Sequence, residues 1–177
     1  MKAYKAVDQI KEKFGSSIIG ETKFCGEISL EMTKEKFKDA LIFLKNAPDP
    51  GFEVLMDLTG VDYLEPTART KVVYWLHNPV NFERIRINVF ANRDETLPTV
   101  VDLWEGADWY EREIFDLFGV RFRGHPELKR ILMPDEWKGH PLRRDYALTE
   151  ESVEFKHGVA PKIPSKIIPY VKSTQKS

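Results

Sequence analysis

The sequence predicts an α+β domain, helices packed on a mostly antiparallel sheet, followed by an extended C-terminal arm. Three observations carry this. Apolar residues recur at helical spacing near 3–14, 37–44 and 107–118. Between those stretches lie short segments with strand alternation and turn signals. Beyond Phe122 the periodicity fades and prolines accumulate, six of the eleven falling in residues 123–177.

Ala3, Val7, Ile10 and Phe14 form the first helical stripe, which Gly15 ends. Two short apolar runs between Ser16 and Leu30 predict strands joined near Cys25-Gly26. Thr33 is placed as an N-cap, with Met32 and Phe37 spaced as a hydrophobic staple. Phe37, Ala40, Leu41 and Leu44 are that helix's buried stripe, and Pro48-Asp49-Pro50-Gly51 stops it. Phe52, Val54, Met56 and Leu58 alternate with more polar residues, as in a strand. Residues 71–77 and 82–90 read as a hairpin turned at Asn78-Pro79. Its return strand puts Ile85, Ile87 and Val89 on one face and Arg84, Arg86 and Asn88 on the other. Ala107, Tyr110, Ile114, Leu117 and Phe118 make the last helical stripe, closed by Gly119.

The expected division is a core domain, 1–122, and an arm, 123–177. The arm still carries Leu128, Ile131, Leu132, Met133, Trp137, Leu142 and Tyr146. A solvated linker needs no such groups, so the arm is expected to lie on a surface, its own or another protein's. Charge is zoned as well. Residues 102–116 carry six acids and one base, whereas 121–145 carry seven bases and four acids. That pairing implies internal neutralisation or docking on a charged partner.

Composition narrows the function classes. The chain has 177 residues with 27 Lys+Arg against 28 Asp+Glu, a balance that argues against a nucleic-acid binder. Cys25 is the only cysteine, so this chain alone builds no intrachain disulfide, cysteine zinc site or iron–sulfur site. The longest apolar runs have five residues, against about 20 for a membrane span, and the charged first fourteen residues lack a signal-peptide core. The expectation is a soluble intracellular protein whose membrane association is indirect.

Three clusters could carry chemistry. Glu111, Arg112, Glu113 and Asp116 form the densest, but Glu111 and Asp116 lie five apart, off a common helical face. Arg112 is four residues from both Asp108 and Asp116, which favours ion pairing over catalysis. His125 and His140, helped by Asp135 or Glu136, could hold a metal. Each also sits in Gly-His-Pro, which reads more simply as a turn whose imidazole hydrogen-bonds across it. Arg121, Arg123, Lys129, Arg130, Arg143 and Arg144 interleave with aromatics, a pattern usable for RNA or for a protein interface. His77 and His157 read as structural or surface residues. The residues alone point to a partner-binding protein, with a metal-dependent enzyme and an RNA-binding module as rivals.

The run Trp109–Tyr146, WYEREIFDLFGVRFRGHPELKRILMPDEWKGHPLRRDY, resembles one family. It is similar to the 30-kilodalton (C) subunit of the proton-translocating NADH:quinone oxidoreductase, respiratory complex I. The E-R-E helix, F-G-V-x-F, G-H-P-x-L-x-R-I-L and the second G-H-P-L-R-R-D all occur in order. The resemblance implies a non-redox subunit of the peripheral arm, on the cytoplasmic face of a bacterial inner membrane. It implies no cofactor on this chain, with NADH, FMN, iron–sulfur clusters and quinone handled by other subunits. It implies docking on the D (49-kilodalton) subunit, and support of electron transfer by scaffolding the quinone-site subunits. Related subunits occur in membrane-bound hydrogenases and in complexes with other electron donors. The absence of a visible transit peptide favours a bacterial or mature form. By motif match, Glu111, Arg112, Glu113 and Asp116 are assigned to internal and intersubunit ion pairing. His125, Pro126, Arg130, His140, Pro141, Arg143, Arg144 and Asp145 are assigned to docking on the D subunit.

Overall fold

The computed structural model describes residues 5–47, 51–63, 69–93 and 95–147. Helix α1 spans Lys5–Phe14 and buries Ala6, Val7 and Ile10. Ala3 of the expected stripe lies outside the described residues. Strands β1 (Ile18–Phe24) and β2 (Glu27–Met32) form a hairpin through Cys25 at φ 49° and Gly26 at φ 81°. Two consecutive left-handed residues suit a tight turn that follows the strands' twist.

Helix α2 spans Phe37–Lys45, and its expected stripe, Phe37, Ala40, Leu41 and Leu44, is buried. Thr33 does not cap it. The Thr33 carbonyl instead accepts from the Lys36 and Phe37 amides at 3.2 and 3.1 Å, so a turn intervenes before the helix. Pro48 to Pro50, the expected stop, lie outside the described residues.

Strand β3 spans Val54–Asp62. Its expected alternation breaks at a bulge between Leu55 and Asp57. One extra residue reverses the faces. Leu58 is buried while Val54 and Met56 are exposed. Strands β4 (Thr70–His77) and β5 (Arg84–Ala91) form the expected hairpin, with Ile85, Ile87 and Val89 buried. Asn78 fixes the turn, its Oδ1 accepting from the Val80 amide at 2.8 Å.

The sheet order is β1-β2-β5-β4-β3, antiparallel at every pair except β2–β5. The three helices bury their stripes in one cluster with the sheet's inner face. Among the described residues no helix packs on the outer face, and cation–aromatic contacts cover part of it. Arg86 lies over the Trp75 ring at 4.3 Å, and Lys71 over Phe90 at 4.8 Å while pairing with Glu31.

Strands β6 (Thr96–Pro98) and β7 (Arg121–Arg123) make a separate parallel pair that brackets helix α3, Ala107–Phe118. Gly119 ends α3 in the left-handed region at φ 77°, its amide returning to the Phe115 carbonyl. The chain then runs from 124 to 147 without helix or strand. Met1–Tyr146 groups as one compact unit, and residues 148–177 of the second unit lie outside the described residues.

Candidate functional site

Helix α3 and the irregular segment after β7 make one polar assembly. It is organised by two carboxylates, Glu111 and Asp116, both with no exposed surface. Their five-residue spacing turns them in different directions.

Glu111 is answered from the loop before α3. Its Oε2 accepts from the Thr99 hydroxyl at 2.6 Å and its Oε1 from the Val100 amide at 2.7 Å. These donors are uncharged. Burial pushes the carboxyl up to about 7, against the downward pull of the two hydrogen bonds and of Lys38.

Asp116 is answered by the arm. Its Oδ2 accepts from the successive amides of Ile131, Leu132 and Met133 at 3.0, 2.8 and 2.8 Å. Its Oδ1 takes the Arg130 guanidinium at 2.6 Å. Burial alone would raise this carboxyl. The three amides and Arg130 outweigh it and hold Asp116 below the usual carboxylate range. Arg130 reaches further, to the carbonyls of Trp137 and Gly139 at 2.9 and 3.0 Å, so one side chain closes the loop 130–139 onto the helix.

The end of α3 is finished by the second Gly-His-Pro. A helix leaves its last four carbonyls without intrahelical partners. Here Phe115 O accepts from the Gly119 amide, Asp116 O from His140 Nδ1 at 2.8 Å, Leu117 O from the Leu142 amide at 3.0 Å, and Phe118 O from Arg143 Nε at 2.6 Å. Two cations, Arg130 and Arg143, thus sit at the negative end of the helix dipole. Burial lowers the His140 imidazole, aided by Arg143 and Arg130 and opposed by the Asp116 carbonyl.

The first Gly-His-Pro serves the other end. His125 Nε2 lies 3.2 Å from the Asp108 carbonyl, and Nδ1 accepts from the Glu127 amide at 3.1 Å. Nε2 therefore carries the proton. Gly124 and Gly139 stand at φ 87° and 83°, as a turn before His-Pro requires. Both motifs are turns whose imidazoles bond to backbone. Among the described residues, no group of three His, Cys, Asp or Glu side chains comes together to hold a metal ion.

Arg112 departs from its expected pairing with Asp108 and Asp116. The arm has taken Asp116, and the Arg112 guanidinium reaches the carbonyls of Lys129 and Arg130 at 3.3 and 3.4 Å. Glu113, Pro126 and Arg144 are exposed, and Pro141 is half-buried. The Arg144 amide bonds Asp62 at 2.8 Å, and Asp145 pairs with Arg69 at 2.9 Å and with Arg93. Sequence reasoning did not find Thr99, Asp62, Arg69 or Arg93. Asp62 and Arg144 are 82 residues apart, and no local spacing signals such a pair. What the arrangement does chemically is fasten a strand-free segment to a helix. No helix among the described residues is long and apolar enough to cross a membrane.

Comparison with known proteins agrees with this motif-bearing region. The C subunit of the NADH-quinone oxidoreductase of Roseiflexus castenholzii is 42% identical over 140 residues, covering 78% of this chain and 80% of that protein. The C/D subunit of the same enzyme in a Sulfurihydrogenibium species is 42% identical over 141 residues, 79% of this chain but 24% of that longer protein. A chain of the membrane-bound sulfane sulfur reductase, an archaeal respiratory membrane complex, superposes with a TM-score of 0.72 at 25% identity, covering 84% of this chain and 87% of that one. A family model, respiratory-chain NADH dehydrogenase 30-kDa subunit, matches residues 30–152. The motif-bearing run 109–146 lies inside that span, and the chain belongs to the family of the 30-kDa subunit of respiratory-chain NADH dehydrogenase.

Proposed function

We propose that this chain is a non-redox subunit of a proton-translocating NADH:quinone oxidoreductase and acts as a scaffold. In this reading it docks on the D subunit at the cytoplasmic face of a bacterial inner membrane and meets the membrane only through the complex. It binds no cofactor and no nucleic acid itself. NADH, FMN, iron–sulfur clusters and quinone belong to its neighbours. By holding the quinone-site subunits it supports electron transfer without taking part in it.

The observation that carries this is the fastening of the arm. Arg130, Arg143, His125 and His140 are spent on backbone groups and on Asp116, which is the work of a rigid shape. A restricted arm loses little entropy when a partner binds. The C/D relative, which joins C and D in one designation, supports the D subunit as the neighbour.

The test is removal of the chain from its host. Membranes should lose NADH-driven quinone reduction, and a tagged full-length chain restored to the host should recover the activity and bring the D subunit with it. Unchanged NADH-driven quinone reduction without the chain, or NADH oxidation by the purified chain alone, would overturn the reading. A second reading rests on the sulfane sulfur reductase likeness: the same scaffold in a complex fed by another donor, such as a membrane-bound hydrogenase. Loss of a different donor's activity, with NADH-driven reduction intact, selects it.

A further inference from the structure

Strands β3, β4 and β5 lie side by side, and their ends meet at one corner of the sheet. Asp62 closes β3 opposite Thr70, which opens β4. Thr70 in turn stands opposite Ala91, the last residue of β5. This register brings Arg69, just before β4, close to Arg93, just after β5. The arm adds a third guanidinium. Arg69, Arg93 and Arg143 line one small cavity together with Asp62, Thr70 and Phe118.

The acids of this corner are already well supplied. Asp62 is buried, and its Oδ2 accepts from the Arg144 amide at 2.8 Å and from Arg69 Nη2 at 3.4 Å. Its Oδ1 accepts from the Thr70 hydroxyl at 3.3 Å. Asp145, from the arm, pairs with Arg69 Nη2 at 2.9 Å and with Arg93. The helix end offers no further acceptor at Phe118, whose carbonyl takes Arg143 Nε at 2.6 Å. Among the described residues, three guanidiniums thus meet two carboxylates, a surplus of one positive charge.

One donor at the corner lacks an acceptor. Arg69 Nε is buried and stands 3.4 Å from Asp62 Oδ1, yet it has no hydrogen-bond partner among the described residues. An N–H withdrawn from water calls for an acceptor. The cavity leaves about 10 Å³ for the centre of a water-sized sphere. That is room for one water molecule or one monatomic ion. Between these two, a surplus of positive charge at a site drawn away from bulk water selects the anion.

We propose that Arg69, Arg93 and Arg143 hold a single monatomic anion of the halide class between the sheet corner and the arm. Two of its ligands come from the sheet and one from the arm, so the ion fastens the arm at a second place, apart from Asp116. The site belongs to this chain alone and is the same whichever complex the chain joins.

The experiment melts the full-length chain in chloride, with gluconate, which is too large for the cavity, holding the ionic strength fixed. The melting temperature should rise by about 4 °C between about 1 and about 300 mM chloride. Arg69→Gln should lose that rise, and Arg121→Gln, exposed on β7, should keep it. Should Arg69→Gln fail to fold, crystals of the parent protein soaked in bromide decide, with an anomalous peak expected among the three guanidiniums. Equal melting of the parent in chloride and gluconate overturns the site. So does an unchanged response in a folded Arg69→Gln variant, or a lost response in Arg121→Gln. An ordered water at the position with no bromide peak overturns it as well. A bromide peak without any effect of chloride in solution is binding at crystal concentration only, and it counts against the site.

Discussion

Glu111 and Asp116 share one helix, and neither has exposed surface, yet their carboxyls move in opposite directions. At the first, a loop offers one hydroxyl and one amide, and burial wins. At the second, the arm offers three amides and a guanidinium, and burial loses. The difference teaches that depth does not settle the ionisation of a buried acid; the number and charge of its donors do. It also divides the helix into two ends with different duties. The Glu111 end ties α3 to the β6 loop, and the Asp116 end ties the arm to α3.

The comparison breaks most visibly if the Asp116 end is emptied. Asp116→Ala leaves Arg130 and three amides without their acceptor, and losing one partner of a buried ion pair costs about 3–5 kcal/mol. The amides of Ile131, Leu132 and Met133 should lose hydrogen-exchange protection together, while β4 and β5 keep theirs. Protection retained at all three would mean the arm is held by something other than this carboxylate.

The Glu111 end predicts an opposite sign. A carboxyl raised from 4.5 to about 7 keeps its proton in the folded chain after the unfolded chain has lost its own. Stability from this group is thus undiminished below pH 4.5 and falls as pH rises to about 7. Glu111→Gln, which keeps an acceptor for Val100 and cannot ionise, should be more stable than the parent above pH 7. At about 1.4 kcal/mol per pKa unit the gain is at most about 3.5 kcal/mol. Urea denaturation at about pH 4 and about pH 8, on either side of that window, checks it, and parallel curves for the two proteins would refute it.

How these ends appear in the sequence explains what could be read there. Local rules were enough for the α2 and α3 stripes, the Gly119 stop, the Cys25-Gly26 turn and the β4–β5 hairpin, because each is decided within a few residues. The Thr33 cap and the β3 alternation failed where one intervening turn or one extra residue altered a locally sound pattern. The parallel β2–β5 pairing joins Ile28 to Ile85 across a helix and two strands, beyond the reach of any short-range period. The candidate site was legible as a set of residues and less so as an arrangement. Gly-His-Pro read correctly as a turn. Nothing in the spacing told that Asp116 would be buried, because its donors arrive 14 to 17 residues later from a segment without periodicity.

The two Gly-His-Pro turns sharpen the comparison with a smaller effect. Their glycines share a backbone angle but not a neighbourhood. Among the described residues a Cβ at Gly124 would meet only Thr99 Cγ2 at 3.3 Å, whereas one at Gly139 would meet the Tyr146 ring at 2.9 Å. Gly124→Ala should cost about 1 kcal/mol from backbone strain alone. Gly139→Ala should cost about 2–3 kcal/mol, since the ring must also move. Equal melting temperatures for the two variants would show that the turns are interchangeable.

The smallest effect lies in the imidazole at the Asp116 end. Burial, with Arg143 and Arg130 nearby, lowers His140 below the ordinary histidine value, and the carbonyl of Asp116 recovers only part of that. The folded chain therefore resists a proton that the unfolded chain accepts. The sign is the reverse of the Glu111 case on the pH axis: stability from His140 is complete above pH 6.5 and is lost as pH falls below it. The loss is modest because a protonated ring still donates Nδ1–H to the Asp116 carbonyl, so acid weakens the helix cap without removing it. His140→Gln keeps a donor for that carbonyl and removes the titration. The variant's stability should change less than the parent's as the pH is lowered from 6.5. Imidazole proton shifts followed by NMR give the direct reading, with His140 titrating below 6.5. A midpoint at or above that value would mean the arm leaves the ring open to water, and the Asp116 end would be a looser cap than its hydrogen bonds describe.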